Sequence, residues 1–96
     1  MIQQLTIQEL NTWKTEGKAF HLVDVREEDE HDAHNIGGEL VSLGEIMRHK
    51  AEFDKSIPVV VYCKRGIRSQ IAIQRLQPRL PHVDFYNLKG GILSNK

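Results

Sequence analysis

The chain has one cysteine, no net charge and no long apolar run, and each of these shortages excludes a class of protein. A single cysteine cannot form an internal disulfide, which excludes small disulfide-stapled secreted scaffolds and favours a reducing compartment. Thirteen Lys and Arg residues balance thirteen Asp and Glu residues, so the chain as a whole lacks the positive net charge expected of a nucleic-acid-binding protein. The lone thiol, Cys63, is therefore either a core filler or a chemical reagent.

Targeting and membrane signals are also missing from the sequence. The N-terminal residues have neither a basic start nor an apolar run of signal-peptide length. The apolar stretch 59–63 is far shorter than the roughly 20 residues that a membrane-spanning helix needs. We therefore expect a cytoplasmic protein that makes no membrane contact. Its 96 residues have room for one hydrophobic core, which predicts one domain over residues 1–96.

Helix and strand patterns alternate along the chain. Thr6 with Glu9, and Ser42 with Glu45, fit capping boxes that open helices. Helices are predicted over 7–16, 43–52 and from 67 to a stop at Pro78. Strands are predicted over 20–25, 40–41, 58–62 and 83–88. The polar run 26–32 is predicted to be a loop, and the alternation favours an α/β fold with a mostly parallel central sheet and helices on both faces.

One edge of such a sheet would collect most of the polar chemistry of the sequence. Ligands of parallel α/β sheets bind beyond the carboxyl ends of the strands. The segments 24–26, 63–69 and 88–91 all follow predicted strands. We therefore expect these three segments to meet at one rim.

The segment from Cys63 to Ser69 runs from a buried strand into the start of a helix, a position that changes the chemistry of a thiol. The N–H groups of the turn and the positive end of the helix dipole stabilise an anion, and Gly66 lets successive N–H groups turn inward. Lys64 and Arg65 add positive charge, although either one alone fits a solvated surface residue. The pattern favours a nucleophilic thiolate over an inert core cysteine.

Arg68 stands at a helix start, where the dipole disfavours a cation unless an anion lies nearby. Its presence predicts either an anionic ligand or an acidic partner. The charge pattern agrees with this, because neutrality conceals a division along the chain. Residues 55–83 contain six basic residues and no acid, whereas residues 24–32 contain six acids and one Arg.

Three short motifs resemble those of the rhodanese homology family of sulfurtransferases and follow one another along the chain in the same order as in that family. Together they cover nearly the whole chain. The family's active-site signature Cys-x-x-Gly-x-Arg-Ser is matched by Cys63, Gly66, Arg68 and Ser69. Its first signature is matched by Asp24-Val25-Arg26-Glu27, and its closing Leu-x-Gly-Gly by Leu88, Gly90 and Gly91. The chain is similar to a single-domain rhodanese, which implies a rhodanese-like sheet of about five strands.

The resemblance implies that Cys63 accepts a sulfane sulfur from an anionic donor such as thiosulfate and holds it as a persulfide. The sulfur then passes to cyanide or a cellular thiol, with a protein thiol as a further candidate acceptor. The substrate-binding residues are expected to be those of the loop, Lys64, Arg65, Gly66, Ile67, Arg68 and Ser69. Their N–H groups can hold the outer sulfur, while Arg68 with Lys64 can orient the donor. No metal or organic cofactor is required.

Other polar residues lie near the same rim in sequence. Asp24 and Arg26 are expected to brace the loops rather than touch substrate, because a carboxylate beside a thiolate would raise the thiol pKa. His31 and His34 stand beside acids, as in a metal site, but no cysteine or second histidine pair accompanies them. We expect these two histidines on a solvated surface loop.

Two other functions fit parts of the sequence. A persulfide carrier or regulatory module acting with a protein partner fits the lack of a second cysteine as well as an enzyme does. Related folds also include phosphatases and arsenate reductases. Four residues separate Cys63 from Arg68, whereas the phosphatase-type loop has one more, which favours sulfur. Asn35 and Gly37 stand where the family commonly has His and Pro, which affects the stiffness of that loop.

Overall fold

A five-stranded sheet forms the centre of the computed structural model, which describes residues 2–95. The strands are β1 (Gln3–Leu5), β2 (His21–Asp24), β3 (Glu39–Leu40), β4 (Val59–Tyr62) and β5 (Phe85–Leu88). The helices are α1 (Ile7–Thr15), α2 (Glu28–Ala33) and α3 (Ile67–Leu76), and two 3₁₀ segments lie at Leu43–Phe53 and Ile92–Asn95. Strands and helices alternate as the sequence predicts.

Every strand pair within residues 2–95 is parallel, in the order β1-β5-β4-β2-β3. Val61 of β4 lies opposite Val23 of β2 on one side and Asn87 of β5 on the other. Because these central strands run in one direction, the loops that follow them share one edge of the sheet. The predicted α/β fold with a parallel sheet is confirmed.

β4 is buried along its whole length, because both of its faces are covered. Val59 belongs to a core cluster with Phe53 and Ile73, which come from the first 3₁₀ segment and from α3. Val60 points to the other face and belongs to a cluster with Leu10 of α1. Helices on both faces explain why this strand is a continuous β-branched run rather than an alternating one.

The predicted start of α1 is confirmed in detail. Thr6 Oγ1 accepts a hydrogen bond from Glu9 N at 3.0 Å, and Thr6 N donates to the Glu9 carboxylate at 2.9 Å. These bonds lower the pKa of Glu9 below its ordinary value. Gly17 follows the helix with a φ of +71°, the left-handed conformation that ends helices.

Three elements differ from the prediction. Residues 28–33 of the polar run form a short helix, in which the Glu30 carboxylate reaches back to Glu27 N at 3.0 Å as in a capping box. Residues 43–53 form a 3₁₀ helix, and Ser42 makes no side-chain cap bond, so the second predicted capping box is wrong. β1 pairs with β5 at the edge of the sheet, and its short polar sequence carries no strand pattern.

The other predicted elements agree in type with the structure and differ only at their ends. The strand predicted over 40–41 is Glu39–Leu40, and the one predicted over 83–88 begins at Phe85. No helix in the described part of the chain combines the length and the apolar character needed to cross a membrane.

Candidate active site

The three segments expected at one rim of the sheet do meet there. Cys63 follows β4, and its carbonyl oxygen accepts a hydrogen bond from Ile92 N at 3.0 Å. The carbonyl oxygen of Lys64 accepts one from Leu93 N at 3.0 Å. Arg26, which follows β2, lines a cavity of about 230 Å³ together with Lys64 and Ile92. The segment after β5 therefore supports the backbone of the loop after β4.

Gly91 permits this close approach of two backbones. Its φ is +64°, a conformation that favours glycine. A Cβ atom at this position would lie 2.4 Å from the carbonyl carbon and oxygen of Lys64. No side chain can be accommodated there without moving the loop, so the Gly-Gly motif has a steric cause.

The sulfur of Cys63 lies at the base of the loop, and only 1% of the residue is exposed. It accepts a hydrogen bond from Gly66 N at 3.0 Å and a longer one from Ser69 N at 3.4 Å. Gly66 precedes α3 with a φ of +91°, which turns its N–H toward the sulfur. The hydroxyl oxygen of Ser69 lies 3.4 Å from the same sulfur.

Two opposing effects act on the pKa of the Cys63 thiol. Burial raises the pKa, but the Ser69 hydroxyl and the N–H groups of Ser69, Arg65 and Gly66 favour the charged form. The pKa therefore lies below its ordinary value of 9.0. A thiolate at this position is more populated at neutral pH than in a free cysteine.

The sulfur opens onto a cavity of about 300 Å³ that is lined by Cys63, Lys64, Arg65, Ile67 and Arg68. Three of these side chains are cationic. Ile67 is the one large hydrophobic side chain within residues 2–95 that is exposed, at 65%. A small cavity with positive walls in front of a thiolate suits a small anionic ligand.

Arg68 has an acidic partner, which is one of the two alternatives that the sequence predicts for it. The sequence does not identify which acidic residue this partner is. Its Nη1 and Nη2 donate to the two carboxylate oxygens of Glu30 at 2.7 and 2.9 Å. This bidentate pair lowers the pKa of Glu30 to about 2 and raises the pKa of Arg68. Glu30 therefore fixes the direction of the guanidinium at the cavity wall.

A buried carboxylate, Asp24, organises the strand end beside the loop. Arg26 Nε and Nη2 donate to its two oxygens at 2.9 and 2.8 Å, and His31 Nδ1 lies 2.9 Å from Oδ2. Burial raises the pKa of Asp24, but these bonds outweigh it and the pKa is lowered. Arg26 also donates to the carbonyl oxygen of His34. The expectation of a solvated loop is wrong for His31, because the fold brings Asp24 within bonding distance of its ring.

The loop after α2 is stiffened by Asn35. Its side-chain NH2 group donates to His31 O at 2.9 Å, and its Oδ1 accepts from Gly37 N at 2.8 Å. Gly37 completes the turn with a φ of +93°. This local Asx-type turn supplies order where the family commonly has His and Pro.

Two polar residues of the site are not identified by sequence pattern. Glu30 lies in the run predicted to be a loop, and the only signal for it is the unexplained cation at the start of α3. Asn87 is buried in β5, where its Oδ1 accepts a hydrogen bond from Ser69 Oγ and its Nδ2 donates to Gln4 Oε1 at 2.9 Å. The available signal was an amide between the apolar residues Tyr86 and Leu88 of a predicted strand.

The chain is similar to known proteins in both sequence and structure. The Rhodanese-like domain family matches residues 6–94. The chain is 32% identical over 87 residues to the thiosulfate sulfurtransferase GlpE of Coxiella burnetii, covering 88% of this chain and 80% of that protein. It is 37% identical over 71 residues to the uncharacterized protein YqhL of Bacillus subtilis, covering 73% of this chain and only 56% of that protein. The crystal structure of a rhodanese-like domain protein from Staphylococcus aureus is 26% identical and superimposes with a TM-score of 0.87, covering 96% of this chain and 89% of that one.

Proposed function

The chain belongs to the rhodanese-like family, and from this membership we propose that it is a sulfurtransferase acting through Cys63. Sulfane sulfur passes from an anionic donor such as thiosulfate to Cys63, and from the resulting persulfide to cyanide or a cellular thiol. The name of the Coxiella burnetii relative supports thiosulfate as the class of donor.

One observation carries the proposal. The buried sulfur of Cys63 accepts the N–H of Gly66 at 3.0 Å and faces a cavity lined by three cationic side chains. This arrangement stabilises a thiolate and attracts a small anion to it. A cysteine that only fills a core needs neither an N–H group at its sulfur nor a cationic cavity in front of it.

The proposed transfer balances in atoms and electrons. The Cys63 thiolate attacks the outer sulfur of thiosulfate and forms a new S–S bond, while the S–S bond of the donor breaks and its electron pair leaves on sulfite. The negative charge then lies on the outer sulfur of the persulfide, where the N–H groups of the loop from Lys64 to Ser69 stabilise it. An acceptor nucleophile removes this sulfur and restores the thiolate.

The side chains around the cavity have two separate tasks in this proposal. Arg68, held by Glu30 at 2.7 Å, orients the oxyanion end of the donor together with Lys64. Asp24 and Arg26 bond to each other at 2.8 Å and brace the rim without touching substrate.

The length of the loop supports sulfur transfer over phosphate or arsenate chemistry. Only four residues separate Cys63 from Arg68, so the ring of N–H groups is smaller than in phosphatase-type loops. Hydrolysis of an aryl phosphate that depends on Cys63 would contradict this assignment.

Steady-state formation of thiocyanate from thiosulfate and cyanide tests the proposal. We expect turnover by the wild-type protein and its complete loss in Cys63→Ser, because the hydroxyl of serine is a poor nucleophile at neutral pH and cannot carry the sulfur. Thermal unfolding of the variant checks that the fold is retained. Turnover that persists in a folded Cys63→Ser protein would overturn the proposed mechanism.

A second candidate function is a persulfide relay to a protein acceptor. The observation that favours it is Ile67, whose large apolar side chain is 65% exposed at the wall of the cavity. A protein acceptor that docks over the cavity would bury this side chain at the centre of the contact.

Initial rates from the sulfur-loaded protein separate the two functions. The acceptor is either cyanide or a reduced dithiol protein such as thioredoxin. The concentration of cyanide in one assay equals the concentration of thiol groups in the other. Rapid transfer of sulfur to cyanide supports a sulfurtransferase that uses small molecules as acceptors. Negligible transfer to cyanide with rapid transfer to the dithiol protein supports the relay.

A further inference from the structure

Two buried polar side chains, Ser69 and Asn87, connect the nucleophile to the edge of the sheet. Ser69 Oγ lies 3.4 Å from Cys63 Sγ and donates a hydrogen bond to Asn87 Oδ1. Asn87 Nδ2 in turn donates to Gln4 Oε1 at 2.9 Å. This last bond orients the amide, so that its NH2 group faces Gln4 and its carbonyl oxygen faces Ser69.

The Ser69 hydroxyl has one proton and two acceptors that compete for it. One acceptor is Asn87 Oδ1, which has no other hydrogen-bond donor among the residues that the structure describes. The other acceptor is Cys63 Sγ when that sulfur is a thiolate. Because the hydroxyl has one proton, only one of these two acceptors can receive its hydrogen bond at a time.

We propose that Asn87 is a positioning residue that holds the Ser69 hydroxyl proton in every state in which Cys63 Sγ carries no charge. In the thiolate, the hydroxyl turns to the sulfur and leaves the buried amide oxygen without a partner. In the thiol, the hydroxyl stays on Asn87, and its oxygen accepts the S–H of Cys63. Asn87 therefore opposes ionisation of the thiol.

The same turn of the Ser69 hydroxyl affects the loading of sulfur on Cys63, and this step rests on the proposed function. Loading moves the negative charge from Sγ to the outer sulfur of the persulfide, so Sγ no longer needs the Ser69 proton. The hydroxyl then returns to Asn87. Asn87 thus favours the persulfide over the bare thiolate, while the N–H groups of the loop hold the charge in its new place.

A double-mutant cycle at Ser69 and Asn87, with the reactivity of Cys63 as its readout, tests this role of Asn87. Asn87→Val removes the acceptor that competes for the Ser69 proton. At a pH below the pKa of the Cys63 thiol, we therefore expect alkylation of Cys63 by iodoacetamide to become roughly threefold faster. The pH profile of the rate should shift to lower pH. Ser69→Ala removes the proton donor, and its profile should shift to higher pH. In the Ser69→Ala background, Asn87→Val should have no effect, because no hydroxyl proton remains.

Two outcomes of the cycle would overturn the proposal. A shift of the Asn87→Val profile to higher pH would mean that the amide presents its NH2 group to Ser69 and supports the thiolate. An equal effect of Asn87→Val with and without Ser69 would mean that the substitution acts through packing. If Asn87→Val does not fold, Asn87→Ala removes the same acceptor, and the same predictions apply to it.

Sulfur loading provides a second arm of the experiment. With thiosulfate and sulfite both present and the pH above the titration of Cys63, the ratio of persulfide to free protein should fall roughly fivefold in Asn87→Val. An unchanged or higher ratio would contradict the role of Asn87 in loading. If the wild-type protein takes up no sulfur at all, the proposed function fails, whereas the alkylation cycle still decides what Asn87 does.

Discussion

The charge on Cys63 is stabilised by the Ser69 hydroxyl and by fixed backbone N–H groups, whereas the cations of the loop line the cavity in front of the sulfur. Gly66 N lies 3.0 Å from the sulfur, whereas the guanidinium of Arg68 is directed to Glu30 at 2.7 Å. N–H groups fixed by a turn and a helix start need no reorganisation when a negative charge forms nearby. The proposed function therefore assigns stabilisation of the sulfur and orientation of the donor to different groups of the loop, and substitutions should affect the two tasks separately.

Arg68→Ala should weaken the use of thiosulfate far more than it weakens the fold. We expect KM for thiosulfate to rise roughly tenfold, because a charge-assisted contact to the anionic donor is lost. The free energy of unfolding should fall by only about 1 kcal/mol, because the pair with Glu30 is partly exposed. Kinetics at varied thiosulfate and thermal unfolding measure the two effects. Arg75→Ala, on the exposed side of α3, is the control, and equal losses of stability and activity in Arg68→Ala would indicate a structural residue.

Gly91→Ala should destabilise the protein more than Gly17→Ala does. Both glycines have positive φ, +64° and +71°, so alanine adds about 1 kcal/mol of backbone strain at either position. Only at Gly91 does the new Cβ meet another backbone, 2.4 Å from the carbonyl of Lys64. A further loss of roughly 1–3 kcal/mol and reduced turnover are expected. Urea unfolding and thiocyanate formation provide the measurements, and equal effects of the two substitutions would show that the contact is not critical.

Among the elements, the two predicted capping boxes have different outcomes although their sequences are alike. In α1 the cap bonds form, with Glu9 N donating to Thr6 Oγ1 at 3.0 Å. In the segment 43–53, Glu45 N donates instead to Ser42 O at 2.8 Å, the shorter bond of a 3₁₀ turn. In a capping box the Ser42 hydroxyl would serve this same Glu45 N–H group. The bond to Ser42 O already gives that group a backbone partner.

This difference gives a matched pair of substitutions at helix starts. Thr6→Ala should lower the free energy of unfolding by about 1 kcal/mol, because it leaves Glu9 N without its cap. Ser42→Ala should change it by less than about half of that value, since no cap bond is lost. Chemical denaturation of both variants measures the difference. A Ser42→Ala protein as destabilised as Thr6→Ala would mean that the second cap forms in solution.

Elements with strong local signals are those that the sequence predicts correctly. The run before Cys63 is apolar and β-branched and forms β4, and the loop that follows carries its own motif and charges. Glu30 and Asn87 reach the site only through the tertiary fold, since Glu30 is 38 residues from Arg68 and Asn87 is 18 residues from Ser69. The position of Cys63 and of the loop that follows it could therefore be predicted, whereas the carboxylate and the amide that bond to the side chains of this loop could not.

For the whole molecule, the neutral net charge includes two segments of opposite charge that the fold brings together. The acidic segment 24–32 and the basic segment 55–83 meet where Glu30 binds Arg68 at 2.7 and 2.9 Å. Asp24 binds Arg26 within the acidic segment. Lys64 and Arg65, both exposed at the cavity, form no ion pair with another residue of the range 2–95, and they give the rim its local positive character.

The contact between the segments predicts a pH dependence of stability. The pKa of Glu30 is lowered from 4.5 to about 2, so the ionised carboxylate stabilises the folded state above pH 4.5, and this contribution is lost as the pH falls through about 2. Glu30→Gln should therefore be less stable than wild type at neutral pH, and the difference should vanish near pH 2. Unfolding free energies across this range test it. Glu28→Gln, exposed on the same helix, controls for lost charge, and a constant difference for Glu30→Gln would contradict the prediction.

The intact mass of the protein after incubation with thiosulfate reports whether Cys63 carries a persulfide. The wild-type protein should gain about 32 Da, one sulfur atom, and lose it again on addition of cyanide. Cys63→Ser should show no gain under the same conditions. An unchanged mass in the wild-type protein, or the same gain in Cys63→Ser, would contradict a persulfide on Cys63.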